Sequence, residues 1–249
     1  MFVQYCTLIF SKKGCHMTTQ QVVADDALLV TYLRREHDLR RRILQRTLDL
    51  NKVNKKMQDI IESCGNVANI NLARAYDTMG MGATYREESK KFDLSEDPAS
   101  WKVLVLEPTF AQIATGYQAS GLKLETYGVN LDDAIDPEKE LRKGVYLVAF
   151  PRSVESPAEN GNQKASQRRD AKHRDITLKA HLLMVLAYFL ETGEFLDIKR
   201  WTQCQGSRYR YGSVPSVHSN PADQTVYVYW HRSEDADPGL CARSEFPSS

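Results

Sequence analysis

The feature that most constrains this fold is an apolar segment in the C-terminal half, DITLKAHLLMVLAYFLETGEFLD, residues 175–197. Its large aliphatic side chains recur at spacings of three and four and occupy nearly every face, which predicts a helix buried on several sides. Asp175 suits the N-cap and Gly193 suits the left-handed C-cap. The apolar run is far shorter than the roughly 20 residues that cross a bilayer. We therefore expect a core helix and no membrane partner.

Short runs rich in β-forming residues follow this helix. The clearest run, residues 225–231, places Val226, Val228 and Trp230 on one face and Tyr227, Tyr229 and His231 on the other. This alternation is typical of a half-buried strand. Turn-forming residues at 219–223 join it to the run 214–218, which predicts a hairpin. We expect a small antiparallel sheet that packs on the helix, because that arrangement buries both elements.

The second strong signal is residues 18–63, which contain neither Gly nor Pro. A heptad pattern runs through this region and favours a long N-terminal helix, either a coiled coil or a helical hairpin. Glu36 and Arg46 interrupt the pattern. The apolar seam predicted to mediate oligomerisation comprises Leu29, Tyr32, Leu39, Ile43, Leu50, Val53, Met57 and Ile60.

The predicted fold class is α+β, with a long N-terminal helix, a mixed central region and a C-terminal helix on an antiparallel sheet. Residues 1–16 open with an apolar run but lack the positive residue and cleavage site of a signal peptide. They are predicted to be a disordered or non-native extension before a start at Met17, or alternatively an edge strand. The remaining predicted regions are 17–98 (helical, coiled-coil-like), 99–152 (mixed α/β), 153–174 (disordered polar insertion) and 175–249 (helix plus sheet).

Charge and cysteine content exclude some classes of function. The formal net charge is only +1 at pH 7, so no global field favours a polyanion or a membrane surface. The five cysteines are scattered and form no CxxC pair. Reduced thiols in a cytoplasmic protein are the expected state.

The sequence carries no motif that indicates catalysis. Cys204, His218, His231 and Cys241 lie in one region, but their spacing matches no zinc signature. A nucleophilic Cys204 paired with either histidine lacks the context of a known catalytic motif. We expect neither metal nor cofactor, and we interpret Cys204 as a small core residue.

Two functional hypotheses remain. The heptad seam favours a non-catalytic interaction or oligomerisation module, which self-associates or binds a helical protein partner. The alternative is nucleic-acid binding, because basic and aromatic side chains together contact phosphates and stack on bases. The residues that would carry it are Arg41, Arg42, Arg208, Tyr209, Arg210 and Tyr211.

The C-terminal half also resembles other proteins. The succession LETGEFLD, WTQCQGSRYRYGSVPSV and VYVYW, within residues 175–243, is similar to the ends of uncharacterised bacterial hypothetical proteins. Cys241 stands where an arginine is expected in that pattern. The resemblance implies a recurrent module and no particular activity.

Overall fold

The computed structural model describes residues 3–11, 14–22, 70–97, 99–171 and 173–246. The chain divides into two compact units, Met1–Ile61 and Glu62–Ser249.

The described part of the first unit is a two-stranded antiparallel hairpin. Strand β1 is Val3–Ser11 and strand β2 is Gly14–Val22, paired from Val3↔Val22 to Ser11↔Gly14. Residues 18–22, where the heptad pattern predicts the start of a helix, are therefore extended. The rest of the predicted N-terminal helix and all eight seam residues lie outside the described residues. The predicted fold class is wrong in this respect, since no long N-terminal helix is part of the described structure.

The second unit is an α+β structure with two sheets. Its helices are α1 (Leu72–Thr78), α2 (Gly82–Glu88), α3 (Phe110–Ala119), α4 (Leu131–Ala134), α5 (Ala165–Asp170) and α6 (Leu178–Thr192). Its strands are β3 (Ser100–Val105), β4 (Lys123–Glu125), β5 (Tyr146–Pro151), β6 (Trp201–Gln203), β7 (Val214–Asn220), β8 (Thr225–His231) and β9 (Leu240–Ala242). Short 3-10 turns occupy Ser89–Lys91, Pro137–Lys139 and Ala158–Asn160.

Helix α6 is the centre of the core, as its apolar pattern predicts. Ten of its residues are buried, and it packs against β3, α1 and α3. The Tyr117 hydroxyl donates to the carbonyl of Leu182 at 2.9 Å and ties α3 to the helix. Gly193 takes the left-handed conformation (φ 72°) as predicted, but the N-cap is Thr177, whose hydroxyl accepts from Ala180 N.

The larger sheet is mixed rather than antiparallel. Its strand order is β4-β8-β7-β6-β9. The three central strands are antiparallel, since β7 pairs antiparallel with both β6 and β8. The predicted β7–β8 hairpin is confirmed. The two edge strands, β4 and β9, add in parallel to β8 and β6. The prediction of a purely antiparallel sheet is therefore wrong. The sequence did not indicate the two parallel edge strands, because a strand of three residues is too short to show a periodic pattern.

The central and C-terminal regions share one hydrophobic core. Strands β3 and β5 form a separate antiparallel pair, and β3 lies against α6. Buried residues from both regions form a single cluster, in which the rings of Trp101 and Tyr188 lie 5.4 Å apart. The mixed central region is thus part of the same body as the C-terminal helix and sheet.

The polar segment 153–174 differs from the expected disordered insertion. It contains the 3-10 turn Ala158–Asn160 and helix α5, and Arg168 within that helix is only 2% exposed. The Arg168 guanidinium donates to both oxygens of Asp175 at 2.6 and 3.0 Å. A buried ion pair and its hydrogen bonds order this segment without any apolar periodicity.

Candidate binding surface

The four sequence-predicted residues 208–211 do not form a strand with one exposed face. They lie in a loop, in which Tyr209 makes an isolated bridge to Ile135. Arg208 and Tyr209 are buried, whereas Arg210 is exposed and the Tyr211 side chain is 100% exposed. The structure therefore separates this predicted site into a buried pair and an exposed pair. Arg41 and Arg42 lie outside the described residues.

The exposed pair borders an apolar groove of about 490 Å³, which we call the Tyr211 groove. Backbone contacts with α4 fix its wall, since Arg210 N donates to the Ala134 carbonyl at 2.9 Å and Arg210 Nε donates to the Asp133 carbonyl. The groove is lined by Val129, Asn130, Asp133, Ala134, Tyr209, Arg210, Tyr211, Ser213 and Trp230.

Sequence reasoning missed the wall that α4 contributes. The Asn130 side chain caps α4 by accepting from Asp132 N, and this N-cap is the one signal visible in the sequence. The approach of α4 to residues 209–211 spans more than seventy positions of the chain, so no local pattern records it. Trp230, which was predicted to share a face with Val226 and Val228, is 38% exposed at the end of β8.

The groove continues into a set of rings along the mixed sheet. The Trp230 ring lies 6.1 Å from Tyr209 and stacks on Tyr229 at 4.7 Å. Tyr229 in turn contacts Tyr127 at 5.5 Å and Trp201 at 6.2 Å. Aromatic side chains on this part of the surface are therefore contiguous and not scattered singly. Contiguous exposed apolar patches mark interaction sites.

The two histidines of the sheet take part in packing. His218 stacks on Trp201 at 4.9 Å, and one of its ring nitrogens lies 2.8 Å from the Ile198 carbonyl oxygen. His231 Nδ1 lies 2.9 Å from the Ser216 hydroxyl. Both rings are thereby held in place by the sheet.

The charge of the second unit does not favour a polyanion. Residues 70–246 contain 22 Lys and Arg against 25 Asp and Glu, which gives a formal net charge of −3. Sequence-independent nucleic-acid binding depends on neutralising phosphates with Lys and Arg, so this unit lacks the global field for it.

A buried ionic cluster is formed by His181 of α6, Asp197 and Arg243. Asp197 Oδ1 accepts from Arg243 Nη2 at 2.8 Å, and Asp197 Oδ2 lies 3.0 Å from His181 Nε2 without hydrogen-bond geometry. Burial lowers the pKa of His181. Burial raises the pKa of Asp197, but Arg243 and His181 outweigh it and hold the pKa of this carboxyl well below its usual range. All three side chains are at most 1% exposed, so we interpret the cluster as structural.

Cys204 is fully buried, and burial raises the pKa of its thiol well above the ordinary value. A thiol in that state is a poor nucleophile, because the thiolate is the reactive form. Within the described ranges, no group of three or more His, Cys, Asp or Glu side chains is gathered to hold a metal ion. Nor is any helix in those ranges long and apolar enough to cross a membrane.

No family model, curated protein or solved structure matches this chain. The resemblance of residues 175–243 to bacterial proteins thus stays a prediction.

Proposed function

We propose that this chain is a non-catalytic interaction module that binds an extended segment of a partner protein in the Tyr211 groove. The observation that carries the proposal is the fully exposed Tyr211 ring beside the apolar groove that Trp230 and Tyr209 help to line. A partner that buried these rings would gain a favourable free energy of roughly 25 cal/mol for each Å² of apolar surface removed from water.

The composition of the groove suits a protein ligand. Tyr, Trp and Arg are the residues enriched at energetic centres of protein interfaces, and Tyr211, Trp230 and Arg210 lie together here. Polar groups of Asn130, Asp133 and Ser213 border the groove, and Asn130 Nδ2 already donates to Asp133 Oδ2 at 2.6 Å. A groove of about 490 Å³ accepts a few apolar side chains rather than a whole domain face.

The partner is proposed to be a protein rather than a nucleic acid because of charge. The net charge of −3 over residues 70–246 opposes phosphate binding, and Arg208 is buried. Among the described residues of the alternative, Arg210 and Tyr211 reach solvent. Binding of single-stranded nucleic acid is therefore the alternative that the same experiment tests.

The test is selection from a random peptide library on the full chain, followed by fluorescence anisotropy with the selected peptides. Tyr211→Ser and Trp230→Ser are expected to weaken binding at least about tenfold each, as loss of an aromatic interface centre does. Phe246→Ser, an exposed aromatic outside both the groove and the set of rings that continues it, is the matched control and should bind normally. Failure to select any peptide, or equal loss in the control, would overturn the proposal.

The same variants decide the alternative. If a fluorescent single-stranded RNA binds the native chain with an affinity that falls linearly with log salt, and Tyr211→Ser abolishes this, the groove serves nucleic acid instead.

Self-association through the heptad seam is a further part of the proposed function. It rests on the apolar heptad pattern of residues 29–60. Leu39→Asp and Leu50→Asp are expected to lower the native mass measured by light scattering, whereas Gln58→Asp, outside the seam, should not. An unchanged monomer in every case would exclude a coiled-coil dimer. We propose a cytoplasmic location, supported by free thiols at Cys204 and Cys241.

A further inference from the structure

The hairpin of β1 and β2 is a sheet of two strands. The strands pair over all nine residues, from Val3↔Val22 to Ser11↔Gly14, and the register has no bulge. In an antiparallel pair, alternate residues direct their N–H and C=O groups to the partner strand, and the residues between them direct theirs outward. Within the described ranges, no third strand joins this sheet. Each strand therefore presents a nine-residue edge.

The strand edges of the second unit are protected against such pairing. The edge strands β4 and β9 of the mixed sheet are only three residues long. In the separate pair of β3 and β5, Phe246 N donates to the Ala149 carbonyl of β5 at 2.9 Å, and the Tyr76 hydroxyl donates to the Leu104 carbonyl of β3 at 2.9 Å. Short edge strands and covered edges are two ways in which proteins prevent pairing with other chains.

Strand β1 lacks these protections. It is nine residues long, its register has no bulge, and residues 3–11 include neither proline nor a charged residue. Charged residues, proline and bulges are the other devices that blunt a strand edge. β1 is also richer than β2 in residues that favour strands, which in β1 are Val3, Tyr5, Thr7, Ile9 and Phe10. Of the two edges, β1 is therefore better suited to accept another strand.

A second copy of β1 fits this edge in length and in charge. A two-stranded hairpin is at best marginally stable in water, and additional strands stabilise it. Like charges directly opposite each other destabilise a strand pair, and two copies of residues 3–11 bring no charges together. Pairing of identical strands about a two-fold axis is closed, because each copy occupies the edge of the other.

We propose that β1 pairs antiparallel with β1 of a second copy of this chain, which gives an intermolecular sheet in the order β2-β1-β1-β2. The nine residues overlap completely when Thr7, the central residue of β1, lies opposite Thr7 of the second copy. This edge is separate from the heptad seam within residues 29–60 and from the Tyr211 groove. The inference therefore depends on neither of them.

Disulfide trapping in the full chain tests this arrangement. Cys6, Cys15 and Cys64 are first replaced by serine, which leaves the buried Cys204 and Cys241. Residues opposite each other in antiparallel strands have Cα atoms about 4.5 or 5.5 Å apart, a distance that a disulfide spans. After mild oxidation, the Thr7→Cys variant should therefore run mainly as a covalent dimer on a non-reducing gel.

The matched control is Thr18→Cys in the same background, because Thr18 pairs with Thr7 within the hairpin. In the proposed sheet the two copies of Thr18 are three strand spacings apart, about 14 Å, which is beyond the reach of a disulfide. This control should give at least about tenfold less covalent dimer. A higher yield from Thr18→Cys would mean that the copies pair through β2 instead.

Charge exchange separates strand pairing from association through the heptad seam. A tagged Thr7→Lys chain should retain an untagged Thr7→Glu chain at least about threefold better than an untagged Thr7→Lys chain, because opposite charges attract across paired strands and like charges repel. The same exchange at Thr18 should show no preference. The seam contributes equally to all of these pairs. The absence of a covalent dimer of Thr7→Cys, an equal or higher yield from Thr18→Cys, or the absence of a charge preference at position 7 would contradict the pairing of β1.

Discussion

Replacing Glu140 by glutamine is expected to stabilise this protein above neutral pH and to leave it unchanged in mild acid. Glu140 follows the 3-10 turn Pro137–Lys139, and its Oε1 is buried without a hydrogen-bond donor. Burial raises the pKa of this carboxyl to about 7, against smaller opposing effects of Ser207, Lys179 and Arg208. The folded chain therefore holds a proton on Glu140 that the unfolded chain releases near its ordinary value of 4.5.

The sign and size of the effect follow from this difference. Between pH 4.5 and 7 the folded state binds more protons, so the contribution of Glu140 to stability is complete below 4.5 and is lost as the pH rises through about 7. At about 1.4 kcal/mol per pH unit, the full difference corresponds to about 3 kcal/mol. Because the side chain keeps partial contact with solvent, we expect roughly 1 to 2 kcal/mol.

Urea unfolding followed by tryptophan fluorescence at about pH 4 and about pH 8 measures the effect. Glu140→Gln should match the native free energy of unfolding at the lower pH and exceed it by roughly 1 to 2 kcal/mol at the higher pH. Glu138→Gln, an exposed acid two residues away that pairs with Lys143, is the control and should show no such pH-dependent gain. If the difference between native and Glu140→Gln is the same at both pH values, the burial argument for Glu140 is refuted.

Three further substitutions test the core. Leu182→Ala, at a fully buried position of α6, is expected to reduce the free energy of unfolding by about 2 to 5 kcal/mol in urea titrations, and a loss below about 1 kcal/mol would contradict its central position. Gly206→Ala should destabilise by about 1 to 3 kcal/mol, because the new Cβ would lie 2.6 Å from the Asp175 carbonyl oxygen, and an unchanged melting temperature would show that this close approach is absent. His181 has a lowered pKa, so the unfolded chain takes up its proton first and native stability should fall as the pH drops below about 6.5. His181→Asn should flatten this part of the profile, and an identical pH dependence in native and variant would exclude His181 as its source.

Local pattern was sufficient for the elements that depend on neighbours in sequence. The sequence predicts helix α6 because apolar side chains occupy nearly every face of this segment. It also predicts the end of the helix, because Gly193 readily takes the left-handed conformation found there. The β7–β8 hairpin follows from strict alternation in residues 225–231 and from the turn formers before them. In both cases the periodicity belongs to the segment itself, so the sequence records it directly.

The candidate site was predictable only in part. Arg210 and Tyr211 are exposed, whereas Arg208 and Tyr209 are buried, and the alternative hypothesis did not distinguish the two pairs. Their burial depends on the approach of α4, which brings Ile135 alongside Tyr209. No property of the tetrapeptide itself distinguishes the buried pair from the exposed pair.

The sequence by itself determined that this chain builds an α+β core around one largely apolar helix and a hairpin. Only the tertiary structure decided which strands join the sheet in parallel, that Arg168 and Asp175 order a polar segment, and that Arg208 lies buried beside a basic cavity. The physical reason is range: periodicity and capping act over a few residues, whereas strand partners, buried ion pairs and cavities depend on contacts between residues far apart in the chain.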